Sequence, residues 1–229
     1  MIEKPEVSVI IPSRDYGQFI AESIESVVNQ TIIPEEIIVI DDGSVDDTEK
    51  IVKKYSPAVK YFFLKKRGVG AARNYGISLS SGKFIAHLDA DDVWVPEKLE
   101  IQLEEFGREP RLEIIGGMMQ PFFDSRVSPE TRKQIYCSDK PLPGFSASVI
   151  LIKRESFQKV GSYRENVTIG QDLEWFIRAR EIPLKEKMVK KTLALRRLHN
   201  SNSSMINSDD RVDRLKILKE SLDRRRKKG

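Results

Sequence analysis

Apolar positions along the first half of the chain follow two alternating periods. VSVII (7–11), a β-branched run stopped by Pro12, predicts a buried strand. After it, YGQFIAESIESVVNQ sets Ile20, Ile24, Val27 and Val28 at helical spacing, one stripe to lay on a sheet. IIVI (37–40) predicts a second strand and DDGS a tight turn, with Ser44 or Asp46 capping a helix that carries Ile51, Val52 and Tyr55. VKYFFL (59–64) reads as a third strand, GVGAARNYGISLSSG as a helix ended by Gly82, and KFIAHL as a fourth strand. Such alternation predicts an α/β fold, a mostly parallel sheet with helices on both faces and ligands at the carboxyl ends of its strands.

Past Pro96, taken as the first helical residue, Leu99, Leu103 and Phe106 mark a helix leading to an apolar run around Ile114. The alternation then weakens. Residues 120–143 hold four prolines and no clear period, and read as a long loop or lid. Strand-like SASVILI, a short helix RESFQKV, a helix DLEWFIRARE and strand-like KTLALRRL follow, and from Ser208 the pattern is that of a charged helical tail.

Composition narrows the function classes. With 229 residues, 39% of them hydrophobic, the chain can bury a sizeable core. The net charge of +4 is modest and much of it sits in the terminal RRRKKG, which is no nucleic-acid-binding composition. The single cysteine, Cys137, excludes an internal disulfide framework and a Cys-based metal cluster, and reads as an ordinary free thiol of a reducing compartment. No apolar run approaches the roughly 18–20 residues that span a bilayer, and the opening MIEKPEVS lacks the apolar segment of a signal peptide. A soluble, cytoplasmic protein is expected.

The chemistry is concentrated at two predicted strand ends. Asp41 and Asp42 follow IIVI, and Asp89, Asp91 and Asp92 crowd the stretch HLDADDVW. Crowded carboxylates repel one another and pay for desolvation unless donors or a cation compensate them. Either cluster alone could be turn chemistry. Together, on neighbouring strand ends and separated by a Gly-rich segment with Arg73-Asn74, they point to a ligand.

VSVIIPSRDYGQFIAESIESVVNQT, IIVIDDGSVDDT, GVGAARNYGI, FIAHLDADDVW, GQDLEWFIR and LRRLHNSNSS, in that order, closely resemble the family 2 glycosyltransferases over about 200 residues. The resemblance implies a single GT-A (Rossmann-like) domain over 1–207, its 1–95 half binding the nucleotide-sugar and its 96–207 half the acceptor, with 208–229 as a basic helical tail. It implies a divalent cation, Mn²⁺ or Mg²⁺, and inverting transfer of a sugar from a nucleotide-sugar, UDP-sugar by family precedent. The acceptor hydroxyl would belong to a glycan, a lipid-linked sugar, a peptide or a small molecule. No Gln-x-x-Arg-Trp element typical of processive relatives occurs, so non-processive transfer is expected.

Carried over position by position, the Asp89-Ala90-Asp91 triplet matches the Asp-x-Asp element of the donor site. Asp91 is the expected metal ligand and Asp89 a ribose contact, and Asp92 supports the following turn. Pro12, Ser13 and Asp15 match the first nucleotide-facing loop, Asp41 and Asp42 the base and ribose contacts, and Arg73 a contact to a base carbonyl or phosphate oxygen. Asp172 matches the catalytic base at the start of a helix, with Gln171 where the family often has Glu and Glu174 the next candidate. His199 matches a late histidine that reaches the metal or diphosphate. His87 is expected as a hydrogen-bonded core residue, and Trp94 and Trp175 as core packing.

Two other readings compete. A nucleotidyltransferase would open with a Gly-rich basic loop where this chain has PSRDYGQF, and a catalytically inactive nucleotide-sugar-binding module would not need both Asp91 and Asp172. In the tail, Leu215, Leu218 and Leu222 precede five consecutive basic residues. That pattern predicts a helix packing on its own domain or on a second subunit, with weak contact to the inner face of a membrane as the competing reading.

Overall fold

The structure, a computed structural model, describes residues 6–144, 146–167, 170–202 and 210–226. The expected boundary at 207 and the last three residues, 227–229, lie outside them. In chain order the elements are β1 (Val7–Ser13), α1 (Gly17–Val28), β2 (Glu36–Asp41), α2 (Thr48–Val52), β3 (Val59–Phe63), α3 (Val69–Leu79), β4 (Phe84–His87), β5 (Val93–Trp94) and α4 (Lys98–Arg108). Then come β6 (Ile114–Phe123), α5 (Pro129–Gln134), β7 (Leu142–Pro143), a 3₁₀ turn (Ala147–Val149), β8 (Leu151–Lys153), α6 (Arg154–Val160), α7 (Gln171–Ala179), β9 (Glu186–Leu198) and α8 (Asp210–Arg226).

One curled sheet runs in the order β3-β2-β1-β4-β8-β6-β9-β5, with β7 paired to β6. The expected parallel sheet is carried by β1 to β4, whose near-continuous β-branched runs suit strands covered on both sides. Val9, Ile10, Ile11, Ile38, Val39, Ile40 and Ile85 are fully buried, as are Ile20, Ile24 and Val27 of α1. Helix α3 packs against β1 and β2 through Gly76, where a Cβ would lie 2.5 Å from Ile10 Cγ2. The second half mixes senses. β8 is antiparallel to both β4 and β6, and β9 is parallel to β6 with register shifts between Gly116 and Met119.

Local expectations needed adjusting where side chains compete with the backbone. Helix α2 is shorter than the pattern suggested, passing at Lys53 into a 3₁₀ turn, and its N-cap is Asp47, not Ser44 or Asp46, although Asp46 Oδ1 accepts the Thr48 N–H at 3.0 Å from one residue further back. Helix α3 ends at Leu79, before Gly82. That glycine instead permits close packing, since a Cβ there would meet Ser8 Oγ at 2.5 Å and Glu6 O at 2.7 Å. SASVILI divides into the 3₁₀ turn and β8 because the Ser146 hydroxyl accepts the Ser148 N–H. The loop expected at 120–143 contains the end of β6, α5 and β7, and β9 is longer than KTLALRRL. Trp94 and Trp175 are core residues, as expected. Cys137 is a free thiol whose Sγ donates to Pro121 O at 3.6 Å. Among the described residues no helix is long and apolar enough to cross a membrane.

Candidate active site

Parallel pairing brings the carboxyl ends of β1, β2 and β4 to one edge of the sheet. Pro12 pairs with Ile40 and Ser13 with Asp41, while Ile10 pairs with His87 just before the acidic triplet. Asp41 is buried, its Oδ1 accepting the Ser44 N–H at 2.7 Å and its Oδ2 the Tyr61 hydroxyl at 2.9 Å. Asp42, also buried, accepts the Arg67 and Gly68 N–H groups at 2.7 and 2.8 Å, tying the loop after β3 to the loop after β2. Asp15 closes the same rim. Its N–H donates to Ser44 Oγ and its Oδ1 accepts the Val45 N–H at 2.8 Å. Ser13 Oγ is buried at this rim with no hydrogen-bond partner among the described residues, a polar atom left for a ligand.

The triplet after β4 is held from three sides. Ser23 of α1 donates to Ala90 O and Asp92 O, at 2.8 and 2.6 Å, fixing the backbone of the turn. Asp92 points inward, accepting the Ser148 hydroxyl at 3.0 Å and the Arg197 N–H at 3.2 Å. Burial, then the charges of Asp91 and Asp89, push its carboxyl well above the usual carboxylate range. The expected turn-supporting role of Asp92 is what this geometry gives. Arg197 also donates through Nε to Asp91 O at 3.0 Å, and its guanidinium is held by Asp124 and Glu22.

Asp91 and His199, 108 residues apart, meet at 2.9 Å between Oδ2 and Nε2. Asn202 Nδ2 donates to the same Asp91 oxygen at 3.1 Å. The imidazole is fixed by Ser201 Oγ at Nδ1, 2.8 Å away, and by the Phe19 ring at 4.4 Å between centroids. Two ligands at neighbouring corners of an octahedron with bonds of about 2.1 Å lie about 3 Å apart, so this pair fits a small hard cation. Among the described residues no group of three or more His, Cys, Asp or Glu side chains converges. A cation here would take its other ligands from a bound phosphate and water, the usual habit of Mg²⁺. Tyr16 stands edge-on to the imidazole, its hydroxyl pushed up by burial and then by Asp91, Asp89 and Asp92.

Arg73 organises the other side. It is buried on α3, donating through Nη2 to Asp89 Oδ1 at 2.7 Å and through Nη1 to Asp172 Oδ1. Its guanidinium lies over the Tyr163 ring, 5.3 Å from the centroid. Asp172 sits in the first turn of α7, half-buried, and its Oδ2 accepts the Ala147 N–H at 3.0 Å. Burial raises its pKa, Arg73 opposes the rise and Asp89 adds to it. The terminal nitrogens of Arg73, expected on a nucleotide, are thus occupied by two site carboxylates.

Glu174, the next carboxylate of α7, is not available as a base. It is buried and paired with Arg164 at 3.0 Å and Arg178 at 2.8 Å. His87 is a core residue, but the expected hydrogen bonds are missing: neither ring nitrogen has a partner among the described residues. Burial, then Arg73 and Lys98, lower its pKa well below the usual value, and the neutral ring packs edge-on to Tyr163.

Sequence reasoning passed over Ser148, Arg197 and Asn202. Ser148 is the junction of the site: its Oγ accepts the Asp89 N–H at 3.1 Å and donates to Asp92, and its carbonyl accepts Trp94 Nε1 at 2.7 Å. Arg197 and Asn202 flank His199 in LRRLHNSNSS, and that stretch was the one signal that could have found them.

The family model for glycosyl transferase family 2 matches residues 8–161, which include the strand-end rim and the triplet but not Asp172 or His199. The chain is 27% identical over 228 residues to a chondroitin synthase of Escherichia coli, a match covering 96% of this chain and 33% of that protein. It spans 15% to 59% of the length of the first curated relatives it matches. Among solved structures it resembles S. aureus TarS in complex with UDP, with a TM-score of 0.69 and 20% identity over 84% of this chain and 60% of that one. It also resembles a mannosyltransferase of Pyrobaculum calidifontis in complex with GDP-Man and Mn²⁺, with a TM-score of 0.70 and 15% identity over 100% of this chain and 66% of that one. At such identities the two structures establish the fold.

Proposed function

The chain belongs to glycosyl transferase family 2, and from that premise we propose that its strand-end site transfers a sugar from a nucleotide-sugar, with inversion and non-processively, to an acceptor hydroxyl. The observation that carries the reading is the Arg73 bridge, one guanidinium that joins Asp89, the residue assigned to the donor, to Asp172, the residue assigned to the acceptor.

In this reading Pro12, Ser13, Asp15, Asp41 and Asp42 line the nucleotide, with the unpartnered Ser13 hydroxyl free to bond it. Asp89 and Ala90 face the ribose and the start of the diphosphate. Asp91 and His199 would hold Mn²⁺ or Mg²⁺, which supplies Lewis-acid stabilisation to the departing nucleotide. Asp172 takes the acceptor proton, and Arg73 favours its ionised form against the effect of burial. The helix N-terminus beneath Asp172 acts in the same direction. UDP is the preferred nucleotide, and cytoplasmic placement fits the free Cys137 thiol.

A panel of UDP- and GDP-sugars, assayed for turnover with each acceptor class, tests the reading. Asp172→Asn is expected to keep donor affinity and slow the chemical step by roughly 10²- to 10⁴-fold, the usual worth of a positioned base. Wild-type rates in the variant, or a product that keeps the donor's anomeric configuration, would overturn it.

A further inference from the structure

The function proposed above leaves α8 unexplained. One face of this helix is anchored to the domain. Ile217 and Ser221 are buried, with Ile217 Cδ1 3.4 Å from where a Cβ on Gly170 would stand, at the N-terminus of α7. Ser221 Oγ donates to Glu181 at 2.9 Å, Arg224 donates to the same carboxylate, and Arg164 donates to Glu220 at 2.6 Å. These contacts fix the rotation of the helix about its axis.

That rotation turns the leucines away from the protein. Leu215, Leu218 and Leu222, spaced by three and four residues along one face, are 67%, 47% and 54% exposed. Lys216, Lys219 and Arg226 are exposed beside them. Asp223 is exposed there too, but the charge of the tail sequence as a whole is one-sided. Nine of the chain's 39 Lys and Arg residues and five of its 35 Asp and Glu residues lie at 208–229, so the tail carries the whole net charge of +4 while the rest of the chain is balanced.

We infer that the outward face of α8 docks on an anionic lipid surface. Leucines enter the boundary between headgroups and acyl chains, and the flanking Lys and Arg extend long stems toward lipid phosphates. A second copy fits less well. Pairing this face with itself would bring like charges together, and three leucines fall far short of the roughly 800 Å² per partner that a stable interface buries.

Co-sedimentation of the full chain with vesicles of phosphatidylcholine, or of phosphatidylcholine with about one third phosphatidylglycerol, reads the docking without any turnover. The wild type is expected to bind the anionic vesicles and to be released by high salt. Leu218→Ser with Leu222→Ser, and separately Lys216→Gln with Lys219→Gln, should each weaken partitioning about tenfold or more. Both pairs are exposed, so melting temperatures should stay at the wild-type value. Equal wild-type recovery with neutral and anionic vesicles would overturn the inference, as would variants that bind like the wild type. A dimer by light scattering that the leucine variant dissolves would assign the face to a second copy and also overturn it. None of these outcomes touches the sugar-transfer reading, which is measured on free donor.

Discussion

Ser148→Ala tests the site at the junction that the sequence hid. The hydroxyl is fully buried, donating to Asp92 and accepting the Asp89 N–H, so its loss strands a carboxyl oxygen and a backbone donor. Each stranded group costs about 1–3 kcal/mol, and because both share one atom the total expected is about 2–4 kcal/mol. The cost should depend on pH with a definite sign. Burial and the charges of Asp91 and Asp89 already hold the Asp92 pKa above its unfolded value, and the Ser148 bond is one of the groups lowering it. Removing that bond raises the folded pKa further, so the stability lost grows as pH rises and is least at low pH, where Asp92 is protonated in either protein. Function should respond as well. Asp89 and Asp91 keep their side chains but lose support beneath their turn, for which a 10- to 100-fold weaker apparent Mn²⁺ affinity is expected. The checks are thermal melts at about pH 5 and about pH 8, and a Mn²⁺ titration of turnover. An Mn²⁺ affinity within twofold of wild type, together with a melting difference independent of pH, would refute the reasoning.

Three further outcomes are expected. Arg73→Gln removes the charge that opposes the raised Asp172 pKa, so the acidic limb of the pH–rate profile should move to higher pH; an unmoved limb would separate Arg73 from the base. At the far end of the sheet, burial would raise the Glu36 pKa, but hydrogen bonds from Lys60, Ser81 and Ser8 outweigh it and bring it down to about 2. Glu36→Gln should therefore cost about 3 kcal/mol at neutral pH, and the two melting curves should converge as pH falls from the ordinary 4.5 toward 2. Excess chelator should abolish donor binding measured by calorimetry, and undiminished binding would remove the metal from the reading.

The half of the fold that the sequence discloses is the half whose strands are buried on both sides. β1, β2 and β4 each carry a continuous apolar run, VII, IIVI and FIA, and that run marks the strand. β9 gives no such signal. Its first residues, Glu186 to Lys191, are mostly exposed and charged, and they are extended because β6 lies alongside to pair with them. The site divides the same way. Acidic residues at strand ends can be read as residue types at predictable places, because the alternation of elements predicts the ends. Their supports cannot, since Ser148 reaches Asp92 across 56 residues and Asn202 reaches Asp91 across 111. A serine in a 3₁₀ turn and an asparagine in a loop carry no local pattern that announces a partner so distant in the chain.

Charge balance explains why the proposed chemistry asks for a cation. Asp89 and Asp172 share one guanidinium, that of Arg73, while among the described residues the Asp91 carboxylate meets only the neutral amide of Asn202 and the imidazole of His199. Arg197 approaches the triplet from below, but its charge is taken up by Asp124 and Glu22, so toward the site it offers hydrogen bonds to Asp91 O and Asp92. Bringing a nucleotide diphosphate to this edge adds further negative charge. Two like unit charges 4 Å apart repel by about 4 kcal/mol at an effective dielectric of 20, and several such pairs would form. Protonation could relieve part of this at Asp92, which is buried, but Asp92 faces the protein interior and not the ligand. A divalent ion held by Asp91 and His199, which already lie 2.9 Å apart, would reverse the sign of the largest of these terms by supplying positive charge where the diphosphate adds negative.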